Sequence, residues 1–345
     1  MFLKTVSVQN FRSIASLKVE DLGQINIFTG QNNCGKTTLL EAVFQLCGWN
    51  VGSLETLYYL RNSYKGNIDF SGFFYKINDD TEIILTGFIE ENSYQRTVKI
   101  DSSIVLNGFN DIQDKQVQSN LFETVEGLKI ESKEIKSVAT IINGVNNFSA
   151  DAIAPQLYMR VNFPMFKIFE HGNLIRGLSE IIRNKQQQKI IDLLKQIDSR
   201  IVGIMVVEKG IYLDLEGFPE LIPIEISGDG LRRILSVILA IYDAKKGGIV
   251  LIDEVENGLH ISTMPKFWRG IMVAAHDIGV QLFMTTHNEE LLQSLSEVAK
   301  EDAFEYLQPQ IKYYNLKRYE NDEIVAYKYD FEKFEFLISN GNEIR

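Results

Sequence analysis

The residues best suited to chemistry stand in one short stretch, Gly30-Gln31-Asn32-Asn33-Cys34-Gly35-Lys36-Thr37, which fits the pattern G-x-x-x-x-G-K-[ST]. Glycines at this spacing let the backbone curl until its N–H groups converge on an anion. Lys36 can reach the outer phosphates of a bound chain of phosphates, and the Thr37 hydroxyl is a ligand for Mg²⁺. A helix that starts near Thr37 adds the positive end of its dipole. This chemistry is nucleoside triphosphate binding, with Gly30, Asn32, Asn33, Cys34, Gly35, Lys36, Thr37 and Thr38 as the expected contacts.

Two further groups complement that loop. The apolar run 249–252 ends in Asp253-Glu254, so a buried strand would deliver two carboxylates to a sheet edge. Asp253 is expected to hold the Mg²⁺ shell, and Glu254 to orient or deprotonate the attacking water. A second apolar run, 280–284, ends in Thr285-Thr286-His287, which places His287 where it could donate a hydrogen bond to a γ-phosphate.

The elements needed to position these groups are legible from periodicity. Residues 4–11 and 16–20 alternate, residues 25–29 read as a strand, and 38–46 as a helix, so the glycine loop sits between strand and helix. Residues 68–105 are rich in Phe, Tyr, Ile and Thr, with turn signals at Asn78-Asp79-Asp80 and Glu91-Asn92-Ser93, and predict an antiparallel meander. Residues 107–150 are polar without a period and read as an insertion or flexible arm. Between residues 174 and 201 apolar positions recur at helical spacing, predicting one or two amphipathic helices. From residue 224 a glycine turn, helix, strand, helix and strand follow in order, the pattern of a parallel, doubly wound sheet. The expected organisation is a single domain over 1–345, with a lobe over 1–106, an insertion and helical part over 107–223, and a second lobe over 224–345.

Composition bounds the rest. With 345 residues, 45% hydrophobic and 23% charged, the chain is an ordinary globular protein. A net charge of −11 opposes nucleic acid and anionic membranes, so any DNA contact is confined to a local patch. The apolar stretch 234–241 is too short to span a bilayer, and no membrane association is expected. Two cysteines make no disulfide framework, and the first residues lack a signal-peptide core, which points to the cytoplasm. His171 and His276 lack metal-ligand spacing, leaving Mg²⁺ as the only metal implied.

Ser227-Gly228-Asp229-Gly230 precedes an apolar helix (Leu231, Ile234, Leu235, Ile238, Leu239) that leads straight into the carboxylate strand. Val8-Gln9-Asn10-Phe11-Arg12-Ser13 opens the chain, and Glu256-Asn257-Gly258-Leu259-His260 follows the two acids. In this ordered set the sequence resembles the ABC-type ATPases of the SMC, RecF and OLD group. The resemblance implies an α/β P-loop fold of ABC type, with a mixed sheet core, an antiparallel β subdomain and a helical lid subdomain. It implies ATP and Mg²⁺ as cofactors and a head-to-tail homodimer that sandwiches the nucleotide. Ser227, Gly228, Asp229 and Gly230 would then contact the γ-phosphate held by the other subunit, and Asn257, Gly258, Leu259 and His260 would form the loop that meets its counterpart. Arg12, in the N-F-[RK]-S turn, joins the nucleotide-binding set.

The span between Lys36 and Asp253 is too short for the coiled-coil arms of SMC relatives, and Toprim-type nuclease chemistry is not expected in the residues after His287. Asp229 stands where many members carry glycine, and the glutamine loop has no assigned position, Gln156 being left outside the site. The resemblance therefore implies a nucleotide-driven dimer switch acting on a separate effector, in phage defence or DNA maintenance. A RecF-like DNA-binding repair ATPase and a nucleotide-sensing scaffold with little turnover remain alternatives, and residues 183–200 read either as a basic stripe for DNA or as a solvated face.

Overall fold

The protein is described from a computed structural model that covers residues 2–47, 57, 71–78, 80–89, 92–101, 120–128, 135–142, 145–148, 161–162, 171–208 and 210–340. It contains two compact units, the first made of Met1–Leu22, Asn32–Tyr158 and Leu316–Ala326, the second of Gly23–Gln31, Met159–Asn315 and Tyr327–Arg345.

The first unit is built on an antiparallel sheet. β1 (Leu3–Phe11) pairs with β2 (Ile14–Glu20), and Leu3, Val6, Val8 and Phe11 are buried. The break in strict alternation after Leu3 coincides with a register shift between Leu3 and Thr5, which turns the following side chains over. After β3 (Ile25–Thr29), which belongs to the second unit, the sheet continues through β4 (Ile83–Ile89) and β5 (Asn92–Asp101). The helix α1 (Lys36–Cys47) packs on β1 and β4; a Cβ on Gly87 would lie 2.8 Å from Leu46, so the glycine lets the helix approach the strand.

The expected meander is present, and it extends further than its side-chain pattern suggested. β6 (Asn120–Leu128), β7 (Ile135–Ile142) and β8 (Val145–Phe148) add to it, giving the order β2-β1-β4-β5-β6-β7-β8. Residues read as an insertion or flexible arm thus include paired strands. Ladder pairing is a main-chain property, and no amphipathic period is needed to announce it. Gln156 lies outside the described residues.

A second sheet has the order β16-β15-β3-β14-β13-β9 among the described strands, with β9 Val161–Asn162, β13 Ile249–Ile252, β14 Gln281–Thr285, β15 Ile311–Arg318 and β16 Ile324–Tyr329. β3, β13 and β14 are parallel and buried at every position, which explains why their sequences are continuous apolar runs rather than alternating ones. A smaller antiparallel sheet is formed by β10 (Ile201–Val207), β11 (Gly210–Leu215) and β12 (Ile222–Pro223).

The described helices of the second unit are α2 (His171–Arg183), α3 (Gln187–Lys195), α4 (Asp229–Ala244), α5 (Met264–Ile278), α6 (Glu289–Ala299) and α7 (Phe331–Ser339). α4, α5 and α6 pack in succession around Ile234, Ile238, Trp268, Ile271 and Leu295, and the Trp268 indole donates to Leu291 O at 3.0 Å. The left-handed Gly279 ends α5 and starts the turn into β14. Among the described residues no helix is long and apolar enough to cross a membrane.

Candidate functional site

β3 delivers the chain to Gly30, and from there the loop to Lys36 is shaped by three left-handed residues: Gly30 at φ 132°, Asn33 at φ 65° and Gly35 at φ 96°. Glycine relieves the strain at two of them, and asparagine tolerates this region better than most side chains. The loop closes into α1 when the Leu39 N–H donates to Gly35 O at 2.8 Å. Gln31, Asn32 and Asn33 are exposed and Cys34 is buried. Burial pushes the Cys34 thiol pKa up, with Lys36 acting in the opposite direction; the Lys36 ammonium lies 3.9 Å from Sγ.

Two residues expected at the nucleotide make structural contacts. Arg12 pairs with the fully buried Glu41 of α1 at 2.8 Å, and its guanidinium lies 4.4 Å from the centre of the Phe73 ring. Thr38 is buried, and its hydroxyl lies 3.0 Å from that of Ser13. The opening Asn10-Phe11-Arg12-Ser13 turn is therefore fastened to the first turns of α1.

The carboxylate edge is organised around Thr285, the last residue of β14. Its hydroxyl donates to Asp253 Oδ1 at 2.5 Å and accepts the Glu254 N–H at 2.9 Å, while its carbonyl accepts the Val255 N–H at 3.0 Å. Glu254 is exposed and left-handed, φ 46°, a conformation that costs an L-residue about 1–2 kcal/mol and is held by these bonds. Its carboxylate accepts from the Asn257 amide at 2.7 Å.

Glu256, in contrast, turns inward and is 9% exposed. One of its oxygens accepts the His287 backbone N–H at 3.2 Å and lies 3.1 Å from Nδ1 of the same histidine. Arg233, buried on α4, donates to Asp253 O at 3.4 Å. Burial lowers the pKa of its guanidinium, and the charges of Glu256 and Asp253 work against that. The helix behind the serine-glycine turn is thereby joined to the carboxylate turn.

At the start of α4, Gly228 occupies the N-cap at φ 95° and no side chain caps the helix. Ser227 instead donates its hydroxyl to Ile224 O at 2.7 Å, and Asp229 pairs with Arg232. An ordinary serine or aspartate cap is thus absent at a turn whose Gly228 and Asp229 are exposed. A Cβ on Gly230 would lie 3.4 Å from Gly258 O, so this turn and the 256–260 turn are close neighbours. His260 caps the short turn Ile261–Thr263 by accepting the Ser262 N–H. Leu259 is half-buried against the core.

Sequence reasoning passed over Arg233, Thr285, Arg318 and the inward role of Glu256. A lone arginine within the apolar face of α4 was the available signal for Arg233; the other roles depend on partners distant in sequence.

Residues 25–293 match the family described as "AAA domain, putative AbiEii toxin, Type IV TA system", and residues 1–48 match the AAA ATPase domain. The chain belongs to the first of these families. It is 26% identical to the ATP/GTP phosphatase of Helicobacter pylori, with 99% of each chain covered. A segment of 46 residues, 13% of this chain and 12% of the relative, is 48% identical to the DNA replication and repair protein RecF of Pediococcus pentosaceus. The crystal structure of an SMC head bound to the C-winged helix domain of ScpA aligns with a TM-score of 0.52 at 11% identity, covering 96% of this chain and 99% of the other. This chain is thus an AAA-family domain whose α/β P-loop fold resembles that of an SMC head.

Proposed function

We propose that this AAA-family chain hydrolyses ATP to ADP and phosphate as a nucleotide-driven switch, with two copies arranged head to tail. The observation that carries the reading is the order β3-β14-β13 in parallel register, from which Gly30, His287 and the Asp253-Glu254 pair all leave at one carboxyl edge. Open parallel sheets bind ligands at that edge.

In this mechanism the loop N–H groups and Lys36 hold the phosphates. Glu254, turned outward by its left-handed backbone and steadied by Asn257, takes the proton of the attacking water. His287, with Nδ1 against Glu256, meets the γ-phosphate through Nε2. Ser227, Gly228, Asp229 and Gly230 present an uncapped helix start to the triphosphate of the other copy.

The Thr37 hydroxyl and the Asp253 carboxylate are each of a ligand type suited to Mg²⁺, which is normally bound by few protein ligands together with phosphates and water. Among the described residues no cluster of three His, Cys, Asp or Glu offers an all-protein cage. When bound, the ion neutralises charge on the β- and γ-phosphates.

A separate protein partner is part of the proposal. It is supported by the toxin association in the family description and by the ScpA-bound state of the SMC head relative. Phage defence or DNA maintenance in the cytoplasm is the proposed setting.

The deciding experiment is steady-state ATP hydrolysis by wild type and Glu254→Gln. Loss of the base is expected to lower kcat by about 10²–10⁴-fold and to accumulate an ATP-loaded dimer on gel filtration. Equal turnover in both would remove Glu254 from this role, and no turnover in wild type would favour the nucleotide-sensing scaffold.

A further inference from the structure

The C-terminal strands lie beyond the residues that match the AAA family, yet one of their side chains reaches the phosphate loop. Arg318, at the end of β15, donates Nε–H to Asn33 O at 3.1 Å and Nη2–H to Ser13 O at 2.7 Å. Its remaining nitrogen lies 3.5 Å from Asp322 Oδ1 in the turn that follows. Asp322 is itself held by Lys76 at 3.2 Å and by the Tyr75 hydroxyl at 3.2 Å. One guanidinium therefore joins the phosphate loop, the turn that opens the chain, and the β15–β16 turn. The two carbonyls it binds belong to residues 285 and 305 positions earlier in the sequence.

The receiving carbonyl decides what this contact does. Asn33 is the left-handed, non-glycine residue of the loop, and a loop that aims N–H groups at phosphates must turn some carbonyls away from them. A planar, permanently charged fork can satisfy two carbonyls at once, which an ammonium cannot do with the same geometry. The second of its carbonyls, Ser13 O, belongs to a residue whose hydroxyl lies against Thr38 on the first turn of α1. The loop is thus gripped in its middle and, through Ser13, just beyond its end.

We infer that Arg318 is a positioning residue for the nucleotide: it holds the Asn33 peptide in the orientation that keeps the phosphate loop formed before ATP arrives. This rests on the reading of residues 30–37 as the triphosphate site. A loop already formed binds more tightly because the ordering cost is not charged to the ligand. Arg318 touches none of the groups assigned to proton transfer, so its influence falls on binding rather than turnover.

The test is calorimetric titration of the full-length chain with MgATP, alongside steady-state kinetics and thermal melting. Arg318→Ala is expected to weaken ATP binding and raise KM by about tenfold, the loss of a charged hydrogen-bond donor, with kcat within about twofold of wild type. Arg318→Lys, which can reach one carbonyl at a time, is expected to fall between the two, and it serves as the readout should the alanine variant fail to fold. Lys36→Ala is the control for the site itself. ATP binding by both Arg318 variants at wild-type strength, while Lys36→Ala abolishes it, would overturn the inference and leave the phosphate-loop reading intact. Wild-type binding by Lys36→Ala would overturn the loop reading and the inference with it. An equal fall in kcat and in stability with unchanged KM would assign Arg318 to the fold alone and also overturn it.

Discussion

In the proposed mechanism the phosphate loop and the carboxylate edge solve the same problem, holding polar groups for a charged ligand, by opposite means. In the loop the backbone does the work, through left-handed turns at residues 30, 33 and 35 and a helix start, with Arg318 satisfying an outward carbonyl. At the carboxylate edge side chains do it: Thr285 holds Asp253 and Glu254, Asn257 holds Glu254, Glu256 holds His287, and Arg233 bonds the Asp253 carbonyl. A binding loop has to be complementary to one unchanging group, the phosphate chain. A reacting edge has to hold an acid, a base and a histidine in distinct states, and only separate partners can set them separately.

The contrast predicts that damage to the loop costs affinity and damage to the edge costs rate. The largest effect on affinity belongs to Lys36→Ala, which should reduce MgATP affinity by at least about a hundredfold by calorimetry, the loss of a charge-assisted contact to phosphate. Thr285→Val should sharpen the comparison: it removes the hydroxyl that serves both Asp253 and Glu254, and kcat should fall by about tenfold to a hundredfold with affinity near wild type. A matching loss of affinity would show that the two regions are not separable.

Glu256 offers a finer cut. If it acts by orienting His287, Glu256→Ala should lower kcat by about tenfold, and the same change in a His287→Ala background should add little. Additive losses in this double-mutant cycle would mean that Glu256 works independently of the histidine. Glu256→Gln keeps an acceptor for the His287 backbone N–H and should recover part of the activity.

The smallest effect concerns Cys34. Because burial raises its pKa, the thiolate is scarcer at neutral pH than for a free cysteine. Iodoacetamide labelling, followed by mass spectrometry, should be slow near neutrality, climb only as pH passes above the usual thiol range, and slow further with MgATP. Rapid labelling at neutral pH would contradict the closed loop.

Much of the local structure was legible in the chain itself. The glycines at positions 30 and 35 marked the turns that the loop makes, because glycine adopts positive φ without strain. The apolar runs 249–252 and 280–284 announced the strands Ile249–Ile252 and Gln281–Thr285, which are parallel and covered on both faces. The extension of the meander through β6 to β8 was not legible, since it depends on main-chain pairing rather than side-chain rhythm.

The sequence thus determined which elements form and which residue types stand at their ends, matters settled by propensity, burial and short-range geometry. Tertiary structure alone decided who holds whom: that Arg12 grips Glu41, that His287 leans on Glu256, that Arg233 serves Asp253, and that Arg318 supports Asn33. These partners are far apart along the chain, and a buried or half-buried polar group takes whichever complement the packed fold brings within hydrogen-bond reach.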